Sequence, residues 1–474
     1  MKTVSGITAE TVQTSLELGG TARALTPPAA HAGYTPAEDR RDPIAILEQQ
    51  AESRVPELVP IRHGRMLASP FAFYRGAAAV MSADLAGTPD SGLRVQLCGD
   101  AHLANFGLFA SPERRLVFDL NDFDETYPGP WEWDVKRLAA SLEVDARAND
   151  IGRKQRRAIQ LAAVRAYQDA MHQFADMHEL DLWYARIDVE DMKETLKQQL
   201  KKARRKTADK TLAKARTRTS RRAMGKLTSL VDGQRRILPD PPLVVPIADL
   251  LPGADGVAFA ERMGELLAGY RSTLQPDLQT LLDKFDFVDL ARKVVGVGSV
   301  GTRCWIALMY GRDDEDPLFL QIKEAQKSVL RDFGGLEDAR WDDCCQGQRV
   351  VEGQRLMQAV SDIFLGWESA DGIDGKRRDF YVRQLADWKG SAVIEDMEPG
   401  TLSAYGRLCG WTLARAHARS GDRVAISAYL GDDTTFAHAV AEFSEDYADQ
   451  NERDYEEMRA AMRSGRIAVE PDSR

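Results

Sequence analysis

The chain has 474 residues, of which 43% are hydrophobic and 29% charged, a balance typical of folded globular proteins with two or three cores. No run of 18 apolar residues occurs, so we expect no membrane span. The N-terminus lacks the basic flank and apolar core of a secretory signal, and the five cysteines lack metal-binding spacing. We therefore expect free thiols in the cytoplasm.

The net charge of −10 is unevenly distributed. Residues 193–236 contain 16 lysines and arginines against three acidic residues, whereas the rest of the chain is acidic. We predict a solvated basic helical insertion here. Few aromatic residues lie among these charges to stack on bases, so a nucleic-acid partner is not favoured.

The pattern of apolar residues and turn residues divides the chain into four predicted regions. They are a flexible N-terminal segment (1–40), a catalytic, mainly helical lobe (41–284), a β-rich nucleotide-binding lobe (285–400), and C-terminal helices packing on the catalytic lobe (401–474).

The loop C-G-D-A-H-L-A-N at residues 98–105 lies between two predicted strands, 93–97 and 115–120. An Asp followed five residues later by an Asn suits phosphoryl transfer. Asp100 can orient an attacking hydroxyl and accept its proton, and Asn105 can ligate Mg²⁺.

The second of these strands ends in the sequence D-F-D, residues 122–124. Mg²⁺ prefers hard oxygen ligands with phosphate oxygens completing its shell, so we assign Asp122 as the second metal ligand. Asp119 and Asp124 are nearby acids that could be mistaken for it.

A glycine-rich segment, G-V-G-S-V-G, follows downstream at residues 296–301. In dinucleotide-binding proteins a helix follows these glycines, but residues 302–306 favour a strand. The segment therefore fits a phosphate-covering loop between strands. The residues expected to bind ATP are Gly296, Gly298, Ser299, Gly301 and Lys323.

Lys323 ends a predicted strand beyond this loop and is placed to neutralise the nucleotide phosphates. A carboxylate on the following predicted helix, 342–360, should hold it. We assign Glu352 to this role, with Glu337 as the second candidate.

The loop at 98–105 resembles the H-G-D-x-H-x-x-N motif of aminoglycoside and choline phosphotransferases, members of the protein-kinase-like superfamily. Gly99, Asp100, His102 and Asn105 match the motif, and Cys98 replaces its first His. The resemblance implies that Asp122 is the metal-binding Asp and that Asp134 braces the catalytic loop.

In a kinase the glycine loop and lysine precede the catalytic loop, whereas here they follow it. Residues 404–418 are similar to the helix that precedes the catalytic loop in phosphotransferases. We therefore predict an α+β, protein-kinase-like two-lobe fold that is circularly permuted, which is feasible when the original termini lie at the surface.

The chain also resembles a bacterial family known as domain of unknown function 2252. Segments 69–76, 98–105 and 387–391 carry this likeness. It implies no established activity, so function must be argued from the site.

Three functions remain open from the sequence. The first is an ATP-dependent phosphotransferase acting on an unknown hydroxyl acceptor. The second is a nucleotidyl (AMP) transferase using the same parts. The third is a non-catalytic nucleotide-binding protein that uses the basic residues 193–236.

Overall fold

A computed structural model gives the architecture. It describes residues 9–190, 213, 215–231, 233–250, 254–342, 344–372, 375–385, 388, 390–395 and 397–470. Half of the basic segment 193–236, namely residues 193–212, 214 and 232, therefore lies outside the described residues, as do Asp387 and Lys389 of the segment 387–391.

The helices fall into an N-terminal group, a central group and a C-terminal group. In chain order they are α1 (Ala9–Leu25), α2 (Pro43–Ala51), α3 (Val59–Met66), α4 (Pro70–Gly76), α5 (Ala78–Ala86), α6 (Trp131–Ala148), α7 (Arg153–Ala175), α8 (Glu179–Tyr184), α9 (Ser220–Leu227), α10 (Ile247–Leu250), α11 (Ala254–Ser272), α12 (Pro276–Leu282), α13 (Val329–Asp332), α14 (Ala339–Asp342), α15 (Gln346–Met357), α16 (Pro399–Ser420), α17 (Arg423–Leu430) and α18 (Thr435–Arg463).

The strands pair in antiparallel fashion throughout the described residues. They are β1 (Arg94–Leu97), β2 (Phe106–Ala110), β3 (Leu116–Leu120), β4 (Tyr127–Pro130), β5 (Ile187–Asp188), β6 (Thr228–Val231), β7 (Gln234–Ile237), β8 (Val244–Pro246), β9 (Asp286–Lys293), β10 (Cys304–Tyr310), β11 (Pro317–Ala325), β12 (Gly366–Asp371), β13 (Arg377–Gln384) and β14 (Gly390–Ser391). The fold is thus mixed α+β, as predicted.

The largest sheet has the strand order β12-β13-β11-β10-β9-β8. Alternate side chains of its central strands face opposite sides. Trp305 and Leu320 pack with Tyr270 of α11 on one side. Ile306 and Phe319 pack with Met224 of α9 on the other. Helices therefore cover both faces, which explains why β10 is apolar along nearly its whole length.

A second core is helical and contains the strands around the predicted catalytic loop. It combines residues of β1–β4, α6 and α7 with residues of α16, α17 and α18. Helices α7 and α16 approach closely because Gly410 has no side chain, and an added Cβ there would lie 2.3 Å from the carbonyl oxygen of Ala163. The C-terminal helices thus pack on the region that carries the loop.

The N-terminal segment was predicted to be flexible, but its residues 9–25 form a helix. Helix α1 packs along α17, where Gly19 allows close contact with Ala425. The Arg23 guanidinium donates to the carbonyl oxygens of Tyr429 and Leu430, at 2.6 and 2.7 Å. These last carbonyl oxygens of α17 have no hydrogen-bond donor within their own helix, so Arg23 of α1 supplies their hydrogen bonds.

The basic segment also differs from its prediction as a helical insertion. Within its described part, only α9 is a helix of more than a few residues, and β6 and β7 form a hairpin that turns at Gly233, where φ is +77°. The large sheet likewise begins upstream of residue 285, because β8 pairs with β9. β-branched residues at 228, 231 and 237 favour strands over the helix predicted from charge.

No helix among the described residues combines the length and hydrophobicity needed to cross a membrane.

Candidate active site

Helix α6 holds the loop at residues 98–105 through the side chain of Asp134. The backbone N–H groups of Cys98 and Gly99 donate to the carboxylate of Asp134, at 2.8 and 3.1 Å. Gly99 has φ of +83°, and an added Cβ would lie 2.3 Å from the carbonyl oxygen of Glu125. Asp134 therefore holds the backbone of this loop, and the turn requires a glycine before Asp100.

Asp100 is fixed through one of its two carboxylate oxygens. Arg137 donates to Oδ1 from Nε at 2.9 Å and from Nη2 at 2.8 Å. The Nε2 atom of His102 lies 3.6 Å from Oδ2. Burial raises the pKa of Asp100 to about 6 even though Arg137 opposes this shift. The carboxylate is thus oriented, and its Oδ2 is the less occupied oxygen.

Asn105 ends a short 3₁₀ turn immediately before β2, a strand that the sequence did not predict. Its side-chain amide donates to the carbonyl oxygen of Asp100 at 2.6 Å, which leaves Oδ1 available as a ligand. Asp122 follows β3, the antiparallel partner of β2. The hairpin brings the two predicted metal ligands to one end of the same strand pair.

Lys323 lies in the middle of the large sheet and its ammonium points at the D-F-D turn. Its Nζ is 2.6 Å from Asp124 Oδ2 and 3.7 Å from Asp122 Oδ1. The Tyr381 hydroxyl donates to the other oxygen of Asp124 at 2.5 Å. Burial alone would lower the pKa of Lys323, but the two carboxylates raise it well above its usual value. The lysine is therefore charged.

The glycine segment 296–301 connects β9 to β10, as predicted for a loop between strands. Gly296 and Gly301 have φ of +67° and +92°, so the backbone itself requires them. Gly298 has no such requirement. An added Cβ there would lie 3.4 Å from the carbonyl oxygen of Arg75, an ordinary contact. The Ser299 hydroxyl donates to Asp124 Oδ2 at 3.2 Å.

Glu352 does not hold Lys323, so that prediction was wrong. Glu352 forms an ion pair with Arg340 of α14 and accepts from Gln348. The buried side of α15 instead presents Arg349, which donates to the carbonyl oxygens of Asp124 and Gln326 at 2.9 and 2.8 Å. The acid that pairs with the lysine comes from the D-F-D turn.

A cavity of about 720 Å³ lies between the loop at residues 98–105 and the glycine loop. Residues of both halves of the sequence line it, including Asp100, Asn105, Asp122, Asp124, Gly296, Gly298 and Ser299. Lys323 is 2% exposed and lies behind Asp124. Gly301 packs on Arg54, because an added Cβ would lie 3.0 Å from the Cβ of Arg54. Among the described residues, no three His, Cys, Asp or Glu side chains form a metal-binding cluster.

Sequence reasoning missed several groups of this cleft. Asp124 was considered only as an acid that could be mistaken for the metal ligand, whereas its carboxylate contacts Lys323 and Tyr381. No sequence pattern pointed to Arg137, Tyr381 or Arg349 as groups of the site. Each contacts Asp100 or Asp124 from an element remote in sequence. Asp119 was correctly set aside, since it pairs with Arg415 at 2.6 Å in the helical core.

Comparison with known proteins gives one family. No curated protein and no solved structure matches this chain. The model of the family described as uncharacterized proteins conserved in bacteria (DUF2252) matches residues 54–461, a span that includes the loop at 98–105, the glycine loop and Lys323. The chain belongs to the DUF2252 family.

Proposed function

We propose that this protein transfers the γ-phosphoryl group of ATP to a hydroxyl acceptor, with Mg²⁺ as cofactor. The observation that carries the proposal is the approach of Lys323 Nζ to within 3.7 Å of Asp122, a residue that lines one cleft together with Asp100. Phosphoryl transfer needs a phosphate-neutralising cation, a metal carboxylate and an acceptor-orienting acid around one nucleotide.

We also propose that the fold is a circularly permuted protein-kinase-like fold. The end of α16 lies beside the start of β1, the strand that leads into the catalytic loop. The backbone N–H of Gln96 donates to the Ser420 hydroxyl at 3.2 Å. An added Cβ on Gly421 would lie 2.9 Å from the carbonyl oxygen of Arg94. A chain joined here would run from the nucleotide lobe through α16 into the catalytic loop, in kinase order.

Each residue then has a separate part in the reaction. Asp100, held at Oδ1 by Arg137, uses Oδ2 to orient the acceptor hydroxyl and take its proton. The acceptor oxygen bonds to the γ-phosphorus, and the bond from that phosphorus to the bridging oxygen of ADP breaks. Lys323 exchanges Asp124 for phosphate oxygens, and the backbone of 296–301 covers the phosphates.

The donor set fits Mg²⁺. Asn105 Oδ1 and Asp122 are hard oxygen ligands on one hairpin, and Mg²⁺ is typically held by one or two protein carboxylates plus phosphate oxygens. When bound, the metal would neutralise charge on the phosphate oxygens. The five cysteines of the chain are free, which fits the reducing cytoplasm proposed for it.

The proposal is tested with ATP labelled at either the α or the γ phosphate, offered with pooled sugars, aminoglycosides, nucleosides and Ser/Thr peptides. We expect the γ label alone to move to an acceptor or to water. The exposed Asp277, in the first turn of α12, provides a matched control. Asp277→Asn should keep the transfer that Asp100→Asn loses.

Movement of the α label would replace the proposal with nucleotidyl transfer. Nucleotide binding without movement of either label would leave a non-catalytic nucleotide-binding protein.

A further inference from the structure

One cation on the wall of the cleft, Arg75, has no hydrogen-bond or ion-pair partner among the residues that the structure describes. The Arg75 guanidinium makes no hydrogen bond and no ion pair to the described part of the chain, and its Nε is buried without an acceptor. A buried polar group without a partner is unfavourable, more so for a charged one. Such a group in a cleft indicates a ligand that completes it.

The position of Arg75 relative to the catalytic loop is fixed by its neighbours. Arg75 follows Tyr74 in α4, and the Nη2 atom of Arg137 donates to the Tyr74 carbonyl oxygen at 2.7 Å. The same Nη2 lies 2.8 Å from Asp100 Oδ1. The Tyr74 hydroxyl in turn donates to the carbonyl oxygen of Arg137 at 2.7 Å. Arg137 therefore ties the last turn of α4 to the predicted base.

The backbone of Arg75 also lies close to the glycine loop. Its carbonyl oxygen would be 3.4 Å from a Cβ added to Gly298, at the tip of that loop. Burial lowers the pKa of Arg75, although the carboxylates of Asp100, Glu395 and Asp122 oppose this shift. Arg75 thus lines the cavity together with the residue proposed to hold the acceptor, the residue proposed to hold the metal and the loop proposed to cover the phosphates.

A second arginine in the cleft shows the contrast. Arg54 also lines the cavity, but it donates to the Val300 carbonyl oxygen and packs on Gly301. Arg54 therefore helps to hold the glycine loop. Within the described ranges of the chain, the Arg75 side chain makes no comparable contact.

We propose that Arg75 binds the phosphoryl group being transferred, contacting the γ-phosphate oxygens of ATP. This inference rests on the proposed function. In the proposed reaction the γ-phosphorus lies between the acceptor oxygen at Asp100 and the metal at Asp122, and Arg75 lines the same cavity as these two residues. An arginine here offsets the charge that spreads over the equatorial oxygens in the transition state.

The test compares the affinities of Mg²⁺-ATP and Mg²⁺-ADP by calorimetry, because ADP lacks the γ-phosphate. Arg75→Gln should weaken ATP binding about ten-fold or more, as expected for loss of charge-assisted hydrogen bonds, and leave ADP binding unchanged. Arg75→Lys should fall between the wild type and Arg75→Gln. The control is Arg165→Gln, an exposed arginine of α7, which should change neither affinity.

A second readout separates a ligand role from a structural one. Because Arg75 is an unpaired cation in the ligand-free protein, Arg75→Gln should raise its melting temperature, whereas loss of a structural contact would lower it. Equal weakening of ATP and ADP, unchanged ATP affinity, or a lowered melting temperature would overturn the inference and leave the proposed function standing. Failure of the wild type to bind either nucleotide would overturn both.

Discussion

The buried charges of the helical core and those of the cleft differ in how completely they are paired. In the core, Asp119 pairs with Arg415 at 2.6 Å and also accepts the backbone N–H of Ala359 at 2.9 Å. Both side chains are at most 2% exposed. In the cleft, the Asp122 side chain is 33% exposed, and its one hydrogen bond from the described residues is a 3.4 Å contact from the Asp124 N–H.

The difference indicates what each charge does. A buried ion pair such as Asp119–Arg415 holds elements in place, and breaking it leaves an uncompensated charge. We propose that the less completely paired charges of the cleft, Asp122 and Arg75, are held for a ligand. Changes in the core should therefore lower stability and spare chemistry, and changes in the cleft should do the reverse.

The largest effect is expected in the core. Asp119→Asn leaves Arg415 buried without its counter-charge, so the free energy of unfolding should fall by about 3–5 kcal/mol in urea titration. Asp122→Asn is the control from the cleft and should change that free energy by less than about 1 kcal/mol. Equal losses in the two variants would remove the distinction between core and cleft.

The next effect concerns the predicted base. Asp100→Asn keeps the shape of the side chain but cannot accept a proton, so turnover of ATP should fall by a factor on the order of 100 or more. Nucleotide affinity, measured by calorimetry, should stay within about two-fold of the wild type, a change of less than about 0.5 kcal/mol. Full turnover in this variant would exclude Asp100 as the base.

A smaller effect is expected at the metal ligand. Asp122→Asn should weaken binding of Mg²⁺-ATP about ten-fold, in line with loss of one contact to a charged group, and leave metal-free ATP binding nearly unchanged. The comparison is made by calorimetry with Mg²⁺ and then with a chelator. Asp277→Asn is the matched control on the surface. A loss that persists in the chelator would contradict the metal role.

The smallest effect returns to the core, at His31. Burial lowers the pKa of His31 to about 3, so the folded protein keeps the ring neutral while the unfolded chain binds a proton below pH 6.5. The contribution of the neutral His31 ring to stability is therefore lost as the pH falls below about 6.5, by about 0.8 kcal/mol at pH 6. His31→Gln should remove this contribution from the dependence of unfolding free energy on pH between 7 and 5. An unchanged slope would contradict a neutral buried ring.

The sequence was informative where chemistry depends on local spacing. Asp100 and Asn105 lie in one short loop, and the glycines at 296–301 are close in sequence, so their types and intervals could be interpreted directly. The strands on either side followed from apolar runs. The strand β2 was not predicted because it is short, covering only residues 106–110, and directly follows the loop.

Contacts between remote elements could not be predicted in the same way. Glu352 was chosen for Lys323 because a helix acid was expected. The register of β11 between β10 and β13 instead directs Lys323 toward Asp124, and Arg340 takes Glu352. The positive charge near residues 228–237 led to the prediction of a helix. These residues instead form the paired strands β6 and β7. Tertiary contacts override local preference in both cases.

The central claim is that Asn105, Asp122 and Lys323 surround the phosphates of one nucleotide. The most direct measurement is the anomalous signal of Mn²⁺ in crystals grown with a non-hydrolysable ATP analogue, because Mn²⁺ accepts the oxygen ligands of Mg²⁺. We predict one peak about 2 Å from oxygens of Asn105 and Asp122, with the phosphates beneath residues 296–301 and Lys323 turned from Asp124 to a phosphate oxygen. A nucleotide bound outside this cleft, or a metal held by other residues, would contradict the account.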